Sequence, residues 1–168
     1  MTNKLSPIPV IKSHLDTLRD AQTNKVMISD YATSYGIPII FGGYSWWREF
    51  QAKDVGSFLG GIAVFAALLF ALVVFVFQLR ITAGNDPRTS DKDRLLKLLD
   101  QLFANVSYAV LIGLATTFLG IVSIWLTDEE TGAPVWLSVF LVIAVTHLVL
   151  IIMMCLKRIN SAYRRLSK

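Results

Sequence analysis

Long uninterrupted apolar runs dominate the pattern of hydrophobic and polar positions along this chain. Residues 56–79, 103–126 and 135–156 contain no Asp, Glu, Lys or Arg. A helix needs about 20 consecutive apolar residues to cross a hydrocarbon core of roughly 30 Å. Each of the three runs meets that requirement, so the pattern predicts three transmembrane helices.

A fourth uncharged run covers residues 31–47 and is shorter. Gly36, Pro38, Gly42 and Gly43 weaken it as a helix, and at about 1.5 Å per residue it falls slightly short of a full span. A thin span, a re-entrant piece and an interfacial segment all fit this run. The predicted fold class is therefore an all-α membrane protein, a helical bundle of three transmembrane helices plus a weak fourth near residues 31–47.

The polar segments around these runs complete the predicted organisation. Ser13 and Asp16 fit a capping box at the start of a short amphipathic helix. A second helix start near Ser90 is expected to continue unbroken into the next span. The predicted regions are a polar N-terminal segment (1–30), a transmembrane region (31–156) that includes a loop and helix start (80–102), and a basic tail (157–168).

The distribution of basic residues predicts the orientation. Segments 80–102 and 157–168 lie on the same side of the membrane and hold ten Lys and Arg, whereas 48–54 and 127–134 on the other side hold two. Basic segments stay in the cytoplasm. The loop 80–102 and the C-terminus are therefore predicted to be cytoplasmic, in a multi-pass protein of the cell membrane, a bacterial inner membrane.

The composition supports a membrane protein and offers no catalytic motif. Hydrophobic residues make up 54% of the 168 residues. The single cysteine, Cys155, excludes an intramolecular disulfide and a cysteine-based metal site. The chain has no HExxH, CxxC, nucleophile elbow or glycine-rich phosphate loop. We therefore expect no enzymatic activity, no cofactor and no metal.

Small and polar residues recur on one helical face of two predicted spans. Lipid gives apolar helices little reason to associate, so small residues that allow close backbone approach mark packing faces. The alternative is a face that lines a pore, where hydroxyl groups permit water. The predicted packing residues are Gly56, Gly60, Gly113 and Gly120, and the pore-lining or gating candidates are Asn105, Thr116, Ser123 and His147.

His147 stands out because it lies at the midpoint of the run 135–156. An ionisable side chain at that depth usually faces protein or water. It is either a neutral histidine that hydrogen-bonds to a neighbouring helix or a gate or proton-sensing residue. No Asp, Glu, Lys or Arg lies inside the three long runs, which disfavours an ion-coupled transporter.

The basic cluster on the cytoplasmic side has two interpretations. Attraction to anionic lipid is one. A site for a polyanion such as a nucleotide or oligonucleotide is the other, since a tyrosine ring can stack on a base. The residues of the tail that would serve either role are Arg158, Tyr163, Arg164 and Arg165.

The layout resembles small multi-span membrane effectors of bacterial anti-phage defence, including the Hailong-type channel effector. The parts that carry the resemblance are the polar N-terminal arm, the transition helix RLLKLLDQLFANVSYAVLIG, the acidic turn between the last two runs and the tail KRINSAYRRLSK. The resemblance is architectural and transfers no functional residue. It implies a homo-oligomeric channel, held shut by a small nucleic-acid ligand and opened during infection to depolarise the cell. Phage holins share the small size and the basic tail.

The sequence thus predicts a homo-oligomeric membrane ion channel or pore-forming effector, gated by a ligand or partner. One copy with four spans encloses little pore, so several copies are needed. The expected partners are the lipid bilayer, further copies of the chain, a nucleotide or oligonucleotide, and a cognate cytoplasmic protein. The alternatives are a non-conducting scaffold or regulatory subunit and a holin-like lysis protein.

Overall fold

The computed structural model of the chain describes residues 6–18, 28–85 and 92–166, without the side chains of Ile28, Asp30 and residues 161–166. These ranges are almost entirely helical and contain no strand, only an isolated bridge between Asp128 and Gly132. The elements are α1 (Ile8–Thr17), α2 (Ile28–Tyr31), a π-helical segment (Ala32–Gly36), α3 (Ile37–Trp47), α4 (Val55–Asn85), α5 (Lys92–Leu126) and α6 (Val135–Leu166).

Among the described residues, three helices are long and apolar enough to cross a membrane: α4, α5 and α6. This confirms the predicted all-helical fold and the three predicted helices of membrane-spanning length. Each helix is longer than its apolar run. α4 continues to Asn85, inside the segment predicted as a loop, and α6 continues to Leu166, inside the tail. α5 runs unbroken from Lys92 to Leu126, so its first turns project beyond the apolar run as expected.

Buried residues recur at a seven-residue spacing on both α4 and α5, which pack against each other. A seam that recurs at this spacing keeps facing its partner when two helices supercoil. The pair is antiparallel, because Gly113 lies beside Ala66 while Gly120 lies beside Leu59. The buried positions that follow this spacing are Val55, Ile62, Leu69, Val76 and Ala83 on α4, and Leu99, Leu102, Val106, Ala109, Gly113, Thr116, Gly120 and Ser123 on α5.

α5 is the central helix of the bundle. It packs along α4 on one side and α6 on the other, and α1 crosses its first turns. α3 and the π-helical segment pack against α6. α4 therefore stands at one edge of the bundle, with only 17% of its most apolar stretch buried.

α1 begins earlier than the sequence predicted. It starts at Ile8 after Pro7, and no side chain caps it. The predicted capping box is wrong, because Ser13 lies in the middle of the helix. Pro7 and Pro9 are tolerated there because the first amides of a helix have no intrahelical acceptor. Val10 and Ile11 of this helix pack against the main apolar core.

Loops 48–54 and 127–134 lie side by side at one end of the bundle. The amide of Ala133 donates to the carbonyl oxygen of Ala52 at 2.9 Å, and the amide of Ala52 donates to Ser138 Oγ at 3.0 Å. Gly132 has a φ of +93°, and a Cβ added there would lie 3.0 Å from the same Ala52 oxygen. Four exposed tryptophans cluster at this end, as expected at a membrane interface: Trp46, Trp47, Trp125 and Trp136.

The contact at Gly132 predicts a position-specific loss of stability. Gly132→Ala forces an unfavourable φ and pushes Cβ against backbone, which should lower stability by about 1–3 kcal/mol. Thermal unfolding in detergent should show a lower Tm. Gly43→Ala is the matched control, because Gly43 is helical with nothing within 4 Å of an added Cβ. Equal Tm values for the two variants would contradict the assignment.

Candidate functional site

Buried polar side chains from four segments meet inside the bundle and form what we call the polar cluster. The cluster connects α1, the π-helical segment, α5 and α6. Its members are His14, Thr17, Tyr35, Asn105, Tyr108 and His147, all buried except the half-buried Tyr35. Polar groups removed from water need hydrogen-bond partners, and the partners found here explain how the segments are held together.

The π-helical segment supplies a backbone carbonyl to this cluster. In an α-helix the oxygen of Ser34 would accept from the amide of residue 38, but Pro38 has no N–H. His147 Nδ1 lies 2.8 Å from that oxygen. A carbonyl oxygen only accepts, so Nδ1 carries the proton and donates. Isolated π-helical turns recur at functional positions in proteins, and here the turn fixes the tautomer of a histidine.

The other ring nitrogen of His147 is also paired. Its Nε2 lies 3.1 Å from the hydroxyl of Tyr108, which donates to it. Tyr35 hydrogen-bonds to Tyr108 in turn, and its ring centroid lies 5.0 Å from that of His147. Both ring nitrogens of His147 are therefore hydrogen-bonded within the chain, as expected for a neutral histidine that bonds to a neighbouring helix. A gating role for His147 stays a prediction.

His14 anchors α1 to the same cluster. Its ring is completely buried and stacks on Tyr108, with centroids 4.0 Å apart and planes 10° from parallel. His14 Nδ1 donates to Asn105 Oδ1 at 2.8 Å, and Thr17 Oγ1 lies 2.7 Å from the same oxygen. His14 and Thr17, which lie one helical turn apart on α1, therefore both contact the side-chain amide of Asn105 on α5.

Arg158 of α6 holds the end of α1. Its Nη2 donates to the carbonyl oxygen of Thr17 at 2.7 Å, and its Nη1 donates to Gln101 Oε1 at 3.1 Å. A cation at the C-terminal end of a helix also interacts favourably with the helix dipole. The guanidinium predicted to hold an anion or lipid thus contacts α1 and α5 in this structure.

Burial makes the His14 side chain harder to protonate. Desolvation lowers its pKa from 6.5 to about 4, the hydrogen bond with Asn105 acts in the opposite direction, and the neighbouring His147 and Arg158 lower the pKa further. Its Nε2 and Asn105 Nδ2 have no hydrogen-bond partner among the described residues. The docked histidine is neutral at pH 7, and protonation would oppose docking.

The predicted pore-lining residues do not share an opening within one chain. Thr116 and Ser123 are fully buried in the seam between α4 and α5. Their hydroxyls donate to carbonyl oxygens one turn back, at 2.8 and 2.9 Å. Asn105 and His147 belong instead to the polar cluster. Any pore that these four residues line would need a different arrangement of helices.

The predicted packing glycines divide into two pairs. Gly113 and Gly120 face α4, where a Cβ on Gly120 would lie 2.7 Å from Leu59 Cδ1. Gly56 and Gly60 are exposed, with nothing within 4 Å of an added Cβ. The side chains of Tyr163, Arg164 and Arg165 lie outside the described residues, so their role as an anion or lipid site stays a prediction.

Two of these features escaped the sequence analysis. No sequence pattern connected His14 with Asn105, because 91 residues separate them. Tyr108 lies within the uncharged run 103–126, where nothing in the sequence distinguishes it from the apolar residues around it. The one local signal for the bond to His147 was the spacing of Ser34 and Pro38. In an α-helix the Ser34 carbonyl oxygen would accept from the amide of residue 38, and a proline has no amide hydrogen. Within the described residues, no group of three His, Cys, Asp or Glu side chains is placed to hold a metal.

Comparison of the chain with known protein families, curated proteins and solved structures found no match. The function proposed below therefore depends on the residues and contacts of this chain and on the architectural resemblance described above.

The docked state of α1 should depend on pH through His14. The pKa of His14 is about 4 when docked and near 6.5 when released. Its contribution to docking is therefore complete above pH 6.5 and is lost progressively as the pH falls toward 4. Hydrogen exchange of the α1 amides, corrected for the intrinsic pH dependence of exchange, should show weaker protection at pH 5 than at pH 7.5.

His14→Phe is the control, because it keeps a ring against Tyr108 but cannot be protonated. In this variant the protection of α1 should be the same at both pH values. A drop in protection as large as in the original protein would show that another group is responsible.

Proposed function

We propose that this protein is a homo-oligomeric membrane ion channel in which copies associate through α4 and α1 acts as a cytoplasmic latch. The observation that carries the proposal is the exposed small face of α4. Its members are Gly56, Gly60, Ala63, Ala67, Ala71 and Gln78, all of which are exposed in one copy. At about 100° per residue they lie on the side of α4 roughly opposite the seam with α5.

Small residues on a membrane helix favour close contact with another helix over contact with lipid. On α5 the comparable face, with Gly113 and Gly120, is used within the chain. On α4 the face has no neighbour among the described residues, and Gln78 at its end would gain a hydrogen-bonding partner from a second copy. A ring of copies joined through this face supplies the additional helices that a pore requires.

A fourth span, formed by α2, the π-helical segment and α3, belongs to the same proposal. These elements follow one another without a break from Ile28 to Trp47. Trp47 lies at the end where the two loops meet, whereas Ser34 contacts His147 at the midpoint of the apolar run 135–156. The segment from Ser34 to Ile28 extends about 9 Å further at 1.5 Å per residue, into the other half of the bilayer. Under this proposal α1 lies in the cytoplasm, together with the basic loop and tail.

The latch follows from how α1 is attached. Its anchors, His14 and Thr17, contact α5, and Arg158 of α6 holds its end. A ligand or partner that binds α1 or the basic tail would change how α5 and α6 are held together. A nucleotide or oligonucleotide is the proposed ligand class, and depolarisation of the cell during phage infection is the proposed outcome, in an inner membrane.

A non-conducting scaffold or regulatory subunit is the second candidate. It is favoured by Thr116 and Ser123, because their hydroxyls are buried and bonded to their own helix and so do not line a path through one copy. A holin-like lysis protein is a third candidate, and it would form large unselective holes without ligand control.

Adjacent glycines on α4 provide the sharpest test. Gly60 lies on the small face and Gly61 does not, yet an added Cβ meets nothing within 4 Å at either position. Gly60→Leu should convert the oligomer to monomers in mild detergent and abolish currents in a planar bilayer. Gly61→Leu adds the same bulk to a lipid-facing position and should retain both the oligomer and the currents.

A monomer that carries no current, under every ligand tried, would overturn the channel and support the regulatory subunit. An intact oligomer in Gly60→Leu would show that copies associate through another surface.

A further inference from the structure

A crevice of about 410 Å³ lies between the first half of α6 and the start of α4. Its walls are mostly apolar, and its mouth is at the end of the bundle where loops 48–54 and 127–134 meet. The residues that define it are Lys53 and Asp54 at the mouth, Phe58 on α4, and Leu141, Val142 and Val145 on α6. A concave apolar site with a few polar groups at one end is the usual form of a binding site for an amphiphile.

The loop that forms the mouth of the crevice is fixed in place. Ala52 is bonded through its amide to Ser138 and through its carbonyl to Ala133. Asp54 begins α4 by accepting from the amide of Ser57 at 3.1 Å. The crevice is therefore preformed, and an occupant need not order the loop when it binds.

The depth of the crevice matches one leaflet of a bilayer. Its lining on α6 extends from Ser138 to Thr146, which is about 12 Å at 1.5 Å per residue. Half of a hydrocarbon core measures roughly 15 Å. The crevice thus runs from the interface, marked by the exposed Trp46 and Trp136, almost to the middle of the membrane.

Of the residues that the structure describes, Lys53 is the one cation that lines the crevice, and Asp54 is the one anion. Lys53 is exposed there, and a lysine can lay its stem along apolar surface while its ammonium stays in the headgroup region. The other charged group, Asp54, already accepts a hydrogen bond from the backbone of α4. We propose that this crevice binds one acyl chain of a phospholipid whose phosphate pairs with Lys53. The proposal does not depend on channel activity or on orientation.

Native mass spectrometry of the full-length protein tests the site directly. After removal of bulk lipid and addition of dioleoyl phosphatidylglycerol, one phospholipid per chain should remain bound under conditions that strip the others. Val142→Trp fills the half-buried wall of the crevice and should abolish this tightly held lipid. Val149→Trp, on an exposed position of the same helix outside the crevice, should retain it.

Lys53→Gln tests the phosphate contact. Removing one cation near a membrane surface should weaken the binding of phosphatidylglycerol about fivefold, and dioleoylglycerol, which has no phosphate, should bind equally weakly to both proteins.

Identical lipid retention in Val142→Trp and the original protein would overturn the site. Equal affinity for the two lipids in the original protein would overturn the role of Lys53. Far-UV circular dichroism and Tm confirm that each variant is folded, and Val145→Trp replaces Val142→Trp if the latter is not.

Discussion

Close approach along α5 is the constraint on which the rest of this structure depends. Membrane helices associate through packing rather than through the exclusion of water, so their backbones must come near one another. The seam of α5 is built from residues such as Ala109, Gly113 and Gly120, and α4 lies directly against it. A seven-residue repeat keeps that seam in register from Val55 to Ala83 on α4 and from Leu99 to Ser123 on α5. α6 and α1 then pack on the remaining sides of α5.

The polar cluster adds specificity to this packing. A polar group inside a membrane protein is costly unless it is bonded, so each bond that Asn105, Tyr108 or His147 makes selects one arrangement of neighbours. The bond from His147 to Ser34 fixes the π-helical segment against α6, and the stack of His14 on Tyr108 fixes α1. The cluster therefore couples α1 to the π-helical segment, α5 and α6 through side-chain contacts.

The two ends of the bundle differ in how firmly they are held. At the tryptophan-rich end, backbone bonds between loops 48–54 and 127–134 and the tight turn at Gly132 leave little freedom. At the opposite end, α1 is attached through a few side chains, one of which is a buried histidine whose pKa is lowered by its surroundings. The firmly bonded end and the titratable attachment of α1 therefore lie at opposite ends of the bundle.

The sequence by itself determined the class of the fold and the positions of its three long apolar helices, although two of those helices continue further than their apolar runs. Uncharged runs of membrane length leave few alternatives, because an unpaired backbone is too costly in lipid. The same runs also revealed small faces on two helices, but not which face would be used. Only the tertiary structure decided that Gly120 packs within the chain while Gly60 remains exposed. It alone brought His14 to Asn105, since no local pattern encodes a contact between residues so far apart, and it alone showed that Pro38 leaves the Ser34 carbonyl for His147.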